Sequence, residues 1–581
     1  VNGTKYDSDG VLGYAPHNYA LQSNNLDTSW TGTRAAVSQD ADGGWLLTAN
    51  ATHTSGSLIR QGAPAADIGI FLGGRAVFQA KARSSSTDWA AMRVGDGAGS
   101  GVIFAWFNVT TGVIGSSSDN AAQLTYVSHS ISGPDGNGYY TCNLTYDCVA
   151  DAGGNMRMDL FIVDEDNVDN ATDEDSVYWR DVQLTRGSQV QPYVPTTTAA
   201  AATARFDHSY DGTSWNPVGL LIEESRTNYI LQSEDIATSW TLDNITADAN
   251  SVVAPDGTTT ADTMVEDGAT GNHRMYMQGR AVTPQGPITA SIYAKKTANR
   301  DWIYVNPGKS TGGANSVKAS FDLTNGVVGT ISTIGDAVDV SATITNVGNG
   351  WYRCTVSSSD LSTDGTQTQL IIAVAEGNND VTFTGGSQDS LYVWGAQLEA
   401  GVFPTSYIKT TNAALARTAD KTTMTGTNFS DWYNNVAGTF LIEAAPAASG
   451  VALHVLGVSK PSSSADFHNV LTSSGTAGRL QYHTKSGNGS QGYINIDDAA
   501  WEAGDSWKLA IAYATDDRSA SRNGAATVTD NGTTLPVAAE MTILSIGQSP
   551  WGAAQINGHI SRLMYWPKRQ VDGFLTYKTQ G

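Results

Sequence analysis

A long internal repeat constrains this chain more than any other feature. Asn18-Tyr19-Ala20-Leu21-Gln22-Ser23, followed by Ser29-Trp30, returns as Asn228-Tyr229-Ile230-Leu231-Gln232-Ser233 with Ser239-Trp240. Ala80-Lys81-Ala82 and Asp88-Trp89 match Ala294-Lys295-Lys296 and Asp301-Trp302. Phe107-Asn108-Val109-Thr110-Thr111-Gly112-Val113 matches Phe321-Asp322-Leu323-Thr324-Asn325-Gly326-Val327, and Gly138-Tyr139-Tyr140-Thr141-Cys142 matches Gly350-Trp351-Tyr352-Arg353-Cys354. Gln183-Leu184, Gly187 and Tyr193 close the series against Gln397-Leu398, Gly401 and Tyr407. Landmarks in one order at a near-constant spacing of about 210–214 residues mean a duplicated module.

Within each copy the pattern is β. Ile288, Ala290, Ile292 and Ala294 alternate with polar neighbours, as do Trp302 and Tyr304, which is the period of half-buried antiparallel strands. Pro255-Asp256-Gly257, Asn325-Gly326 and Asn349-Gly350 supply turns at short intervals, and no segment sustains a helical apolar stripe. About ten short strands per copy predict a two-sheet sandwich of jelly-roll type. Cys142 and Cys354 fall at the same place in alternating runs (Tyr140, Cys142, Leu144 and Tyr352, Cys354, Val356), so each is expected as a small core residue. Cys142 and Cys148 would lie roughly 20 Å apart on a continuous strand, too far for a disulfide.

The boundaries follow from the repeat. Residues 1–16 read as an N-terminal segment, 17–196 as the first sandwich, 197–226 as a linker rich in small residues and 227–410 as the second sandwich. A shorter linker spans 411–417, and 418–581 forms a third, unrelated unit. That unit also alternates, at Thr439-Leu441-Glu443-Ala445, Trp507-Leu509-Ile511-Tyr513 and His559-Ser561-Leu563-Tyr565. The expected fold is all-β, three β-sandwiches of jelly-roll and concanavalin-like type in series. Only 15% of the 581 residues are charged, and 33 basic against 56 acidic residues give a formal charge of −23. Such a polyanion repels a phosphate backbone, so no nucleic-acid partner is expected, and no apolar run is long enough for membrane insertion as a helix.

Several stretches resemble bacteriophage virion proteins of the tail-fibre and head-fibre kind, which carry strings of carbohydrate-binding-like jelly-roll modules. The resemblance rests on Arg205-Phe206-Asp207 with Gly219-Leu220-Leu221-Ile222-Glu223-Glu224-Ser225-Arg226-Thr227-Asn228, on Ala254-Pro255-Asp256-Gly257-Thr258, on Gly350-Trp351-Tyr352-Arg353-Cys354 and on Trp394-Gly395-Ala396-Gln397-Leu398-Glu399-Ala400-Gly401. The first copy departs from it, with Arg180-Asp181-Val182-Gln183 in place of the Trp-Gly-Ala-Gln step. The third unit is similar to laminin-G/concanavalin-like lectin sandwiches through Gly426-Thr427-Asn428-Phe429-Ser430-Asp431-Trp432-Tyr433 and the closing Asn557-Gly558-His559-Ile560-Ser561-Arg562-Leu563-Met564-Tyr565-Trp566-Pro567. The resemblance implies a virion component on the particle exterior, partnered by other virion proteins and by copies of itself, with host-surface glycans as ligands. It implies no particular sugar, since such sandwiches also serve as spacers.

Candidate chemistry is sparse. Glu223 and Glu224 are adjacent on a strand and point to opposite faces, so they cannot flank one glycosidic bond; a solvated, Arg226-paired boundary segment is the expectation. Asp164, Asp166 and Asp169, in an acidic run reaching Asp175, are calcium candidates as closely spaced oxygen ligands on a loop. Against calcium, no glycine marks a tight ion-binding turn, the second copy keeps only Glu376 and Asp380 there, and a solvated charged loop is the favoured reading. No histidine falls in a metal or catalytic spacing, and Gly312-Gly313 lacks the Lys-Ser/Thr of a phosphate loop. No catalytic residue and no other cofactor is expected. For sugar stacking, Trp551 and Trp215 stand outside the alternating runs in Gly/Ser/Asn/Pro-rich surroundings, with a packed loop anchor as the alternative for each; Trp30, Trp240, Trp302, Trp351 and Trp394 are assigned to core.

The leading expectation is therefore a non-enzymatic virion exterior protein that adheres to glycans. The alternatives are an architectural capsid or tail decoration protein that binds no sugar, and the binding part of a secreted polysaccharide-degrading enzyme.

Overall fold

Short alternating segments fold as strands whose pairings in the three sandwiches are antiparallel throughout, giving an all-β chain of three jelly-roll sandwiches in series along the sequence. The computed structural model describes residues 3–52, 56–62, 75–95, 101–148, 156–187, 190–197, 201–282, 286–309, 315–335, 337, 339–360, 368–386, 388–447, 453–460, 465–472, 479–497, 504–532, 534–536 and 541–580. They divide into two units: one runs from Tyr14 to Thr203, and the other joins Gly3–Gly13 to the chain from Ala204 onward. Gly312-Gly313 lie outside the described residues.

In the first unit one sheet runs Val113–Asp119, Val102–Asn108, Trp89–Gly95, Arg157–Val163, Ser57–Gly62, Thr31–Thr33. Its companion runs Leu124–Ser132, Tyr140–Cys148, Arg75–Ser84, Ser176–Arg186, Trp45–Ala49, Ala35–Gln39. The second copy repeats both orders strand for strand. One sheet is Val327–Ile334, Ser316–Asp322, Trp302–Lys309, Thr368–Ala375, Arg274–Arg280, Thr241–Asp243, and the other is Ser341–Asn346, Trp351–Ser358, Ile288–Lys295, Ser390–Ala400, Ala261–Glu266, Ile245–Val252. Cys142 and Cys354 are fully buried at matching positions, and burial pushes both thiols well above the ordinary range. The register corrects one landmark: Tyr140 pairs with Ala82 and Tyr352 with Ala294, so Ala82, not Ala80, is the counterpart of Ala294.

The repeat survives in sequence because its landmarks are side chains that staple backbone. Asn18, fully buried, donates to the Val182 and Val194 carbonyls (2.8 and 2.9 Å) and accepts from the Ala20 and Leu184 amides. Asn228 does the same with Ala396, Ile408, Ile230 and Leu398. Gln183 accepts from Val194 N–H and Gln397 from Ile408 N–H, both at 2.7 Å. Removing such an amide orphans buried groups that cost about 1–3 kcal/mol each when unsatisfied. Asn228→Ala is therefore expected to destabilise the second unit by about 2–4 kcal/mol in urea titration, and Asn18→Ala the first by as much. A loss below about 1 kcal/mol would remove the staple from the account.

The first departure from expectation concerns the supposed linkers. Arg205–Tyr210 and Trp215–Ile222, within 197–226, are the first two strands of the third sandwich's seven-stranded sheet, which continues Gly558–Trp566, Ala437–Pro446, Trp507–Ala514, Asp517–Arg522, Val528–Asp530. The opposing sheet is Thr423–Thr425, Ile543–Ile546, His454–Ser459, Phe467–Thr472, Leu480–Ser486, Gly489–Asp497. Residues 1–16 are not merely a leading segment either. The strand pair Thr4–Tyr6 and Leu12–Tyr14 puts Tyr6 and Leu12 over the outer face of the second sandwich, against Tyr293, Trp351, Trp394 and Tyr407. Trp351 and Trp394 are thus buried, but in this outer cluster rather than between the sheets, and Trp302 is only half-buried. Trp394-Gly395 in the second copy is Arg180-Asp181 in the first, and Asp181 adopts the left-handed conformation (φ 51°) that Gly395 holds at φ 66°.

Glu223 also departs from expectation. It is buried rather than solvated, and Arg205 and Arg417 converge on it and on Asp420: Arg205 donates to Glu223 at 2.8 Å and also to Asp420, while Arg417 lies 3.5 Å from Glu223. Glu224 does pair with Arg226, at 2.6 Å. Sequence shows charges here but not their partners, which come from positions far apart along the chain.

Candidate functional site

The third sandwich packs Val458, Val470, Leu480, Tyr482 and Ile494 inward. Strand alternation then turns Phe467, Asn469, Gln481, His483, Tyr493 and Asn495 onto the outer face of the six-stranded sheet. There the rings form a row. Tyr493 stacks on His483 (centroids 4.0 Å, 20° between planes), His483 meets Phe467 edge-on at 5.0 Å, and Phe467 meets Trp551 at 6.0 Å. His454 also touches Trp551 edge-on, at 5.7 Å.

A tight turn presents Trp551. The Gly552 amide donates to the Ser549 carbonyl, the Ser549 amide to the Ala553 carbonyl, and the Ala553 amide to Ser549 Oγ, all at 2.9 Å. Pro550 seats the turn on Gly457, where a Cβ would come within 2.8 Å of the proline ring, so the strand must be bare at that point. Trp551 is left 57% exposed at one end of the row and Tyr493 50% exposed at the other. Around them lie amides and hydroxyls: Gln481 Nε2 donates to Asn495 Oδ1 at 2.8 Å, and His483 Nε2 is 3.0 Å from Ser490 Oγ.

Both imidazoles of the row are neutral near pH 7. Burial, with Arg518 and Lys485 nearby, lowers His483 to about 4, and burial lowers His454 against the hydrogen bond to Asn469. Exposed ring faces flanked by neutral donors and acceptors suit the apolar C–H faces and hydroxyls of a sugar.

The other candidates fare differently. Trp215 is an anchor: it stacks on Tyr6 at 4.8 Å and lies 5.5 Å from Tyr210. Gly10, at φ +78°, presses so close that a Cβ there would sit 2.1 Å from the indole nitrogen. Asp164, Asp166 and Asp169 do not converge on a calcium site. Asp166 is held by the Ser116 amide and hydroxyl (2.7 and 2.8 Å), and Asp164 by Asn170 and Thr172, while the Asp169 carbonyl takes the Gly56 amide. Among the described residues no group of three His, Cys, Asp or Glu side chains could hold a metal ion.

A cleft of about 580 Å³ in the second unit is lined by Tyr6, Asp207, His208, Arg353, Ser406 and His559 among others. Several of its charged groups are engaged with one another or with backbone, for example His559 with Asp207 at 3.0 Å and Arg353 with Thr405 O at 2.8 Å. Tyr493, His483 and Phe467 were not singled out from sequence, because an aromatic in an alternating run reads alike whether it faces the core or solvent.

No protein-family model and no curated protein sequence matches the chain. Among solved structures, the tandem CBM22-1–CBM22-2 domains of Xyn10C from Paenibacillus barcinonensis align at 10% identity over 67% of this chain and 98% of theirs, with a TM-score of 0.19. The LG1-3 region of the laminin alpha2 chain aligns at 9% identity over 86% of this chain and 94% of its own, with a TM-score of 0.18. A mutant of NanB sialidase from Streptococcus pneumoniae aligns at 10% identity and TM-score 0.23, over 27% of this chain and only 26% of the sialidase. At scores this low the fold assignment rests on the strand pairing described above.

Proposed function

We propose that the chain is a non-enzymatic structural protein of a bacteriophage particle, displayed on the exterior as tail fibre, spike or head decoration, and that it adheres to host-surface glycans. It assembles with other virion proteins and with copies of itself. The observation that carries the glycan reading is the pair of exposed rings, Trp551 and Tyr493, ending one aromatic row bordered by amides on the third sandwich. The stretches that resemble phage fibre modules support the virion reading, and the stapled duplicate sandwiches suit spacers that carry a working unit.

Two experiments test the reading. Immunogold labelling of intact particles with antibody to the chain should decorate the outside. A glycan array probed with the purified chain should return binding to host-surface oligosaccharides, and incubation with them should release no reducing ends above a heat-killed control. Exterior labelling without any glycan binding would leave an architectural decoration protein. Release of reducing ends would replace the proposal with an enzyme.

A further inference from the structure

The first sandwich carries a concentration of positive charge that its fold does not require. On the outer face of one sheet, Asp159 is fully buried and faces three arginines. Arg60 donates from Nε to Oδ1 at 2.6 Å and from Nη2 to Oδ2 at 3.2 Å, and Arg93 donates from Nε to Oδ2 at 2.6 Å. Arg157 Nε lies 3.8 Å from Oδ2, is itself buried and makes no hydrogen bond. Among the described residues, Asp159 is the sole carboxylate in ion-pair reach of these three guanidiniums, so three positive charges face one negative charge there, in a chain of formal charge −23. Arg93 is fixed over the Phe104 and Phe161 rings at 5.0 and 4.5 Å. Burial, together with repulsion from Arg157 and Arg60, lowers its proton affinity despite Asp159.

The second copy is an internal control. Strand register places Tyr276 where the first copy has Arg60, Asn306 where it has Arg93, Gln369 where it has Arg157 and Ile371 where it has Asp159. Lys318 and Ala373 stand in place of Phe104 and Phe161. The same sandwich thus forms with four neutral side chains at the quartet's positions. Crowded like charges oppose folding, so a quartet that the architecture dispenses with elsewhere points to a ligand. The arginines remain 13–36% exposed and within reach of one.

We propose that Arg60, Arg93 and Arg157, held in place by Asp159, form an oxyanion-binding site on the first sandwich that takes the carboxylate or sulfate group of an acidic saccharide. Guanidinium pairs suit such groups because their forked N–H donors match two oxygens at once. The saccharide assignment rests on the adhesin reading, whereas oxyanion binding itself does not.

The test uses the full chain and a variant built from the second copy's residues, Arg60→Tyr, Arg93→Asn, Arg157→Gln and Asp159→Ile together, with Arg157→Gln alone as the milder change. Calorimetric titrations would use sodium sulfate, sodium phosphate, an oligouronate, a sulfated oligosaccharide and a neutral oligosaccharide of equal length. The expected result is oxyanion binding by the wild-type chain that weakens with added sodium chloride, at least tenfold weaker binding by the fourfold variant, and unchanged binding of the neutral sugar. Tighter binding of the oligouronate or sulfated sugar than of free sulfate and phosphate supports a saccharide; equal binding removes the saccharide and keeps the anion site. Absence of oxyanion binding by the wild type, or equal binding by the folded Arg157→Gln and fourfold variants, overturns the proposal. Loss of oxyanion binding with intact neutral-glycan binding would show that this site fails or succeeds separately from the Trp551 face.

Discussion

Glu223→Gln is expected to lower the stability of the second unit by about 3–5 kcal/mol, the usual cost of breaking a buried ion cluster by removing one partner. Arg205 and Arg417 are essentially unexposed, and without Glu223 they share only Asp420. Ser406 would also lose the carboxylate that its amide and hydroxyl both bond, each at 2.7 Å. The same interactions predict acid sensitivity. Burial alone would raise the Glu223 pKa, but Arg417, Arg205 and Ser406 outweigh it and hold the group at about 2. The unfolded chain binds this proton near 4.5, so the contribution is complete above pH 4.5 and is lost as pH falls toward 2, about 3 kcal/mol in all. Denaturant midpoints at pH 7 for wild type and variant decide the matter; a shift below about 1 kcal/mol would mean that solvent already satisfies the cluster.

A second large effect belongs to His468. Its ring is buried in the third sandwich, stacked on Tyr513 at 4.7 Å, with Nδ1 2.8 Å from the Tyr482 hydroxyl. Burial, reinforced by Arg518, lowers its pKa to about 3. The unfolded chain takes up this proton near 6.5, so stability is full above pH 6.5 and falls as the medium becomes more acidic, levelling off near pH 3. The loss should reach about 2 kcal/mol at pH 5 and about 4–5 kcal/mol at the plateau. His468→Phe should reduce the pH dependence of the second unit's unfolding between pH 6.5 and 5, leaving the smaller share that His483 and His454 contribute. An unchanged slope would place the acid-sensitive group elsewhere. Between pH 6.5 and 4.5 the His468 loss develops before that of Glu223 begins, and between 4.5 and 3 the two overlap.

What the sequence revealed and concealed follows from range. The duplication was legible because Asn18 and Gln183, and their counterparts Asn228 and Gln397, bond to backbone that every copy of the sandwich must position alike, while the Tyr193 and Tyr407 hydroxyls bond the matching Ser23 and Ser233 hydroxyls. Strand periodicity was legible because burial of one face and solvation of the other impose it residue by residue. Tertiary pairing was not. Arg205, Glu223 and Arg417 read as boundary residues because each finds a partner 18 to 215 positions away. Trp215 read as a loose loop aromatic because nothing local announces that Tyr6 and Gly10 will cover it. The same blindness hid the Arg60, Arg93 and Arg157 cluster, whose members occupy ordinary outward positions on three separate strands. Trp551 was legible as a candidate because a tryptophan in a Ser-Pro-Trp-Gly turn has no strand neighbours to bury it, and it is in fact exposed.

In the function proposed above, the outer face of the third sandwich grips a glycan by its exposed rings. The direct measurement is the equilibrium affinity of the full chain for the tightest-binding glycan on the array, beside Trp551→Ala and Tyr493→Ala variants whose unfolding midpoints match the wild type. Loss of one stacking platform worth ~1–2 kcal/mol predicts a roughly ten- to thirtyfold weaker Kd for Trp551→Ala, and a loss in the same direction for Tyr493→Ala. Wild-type affinity in both variants would contradict the claim.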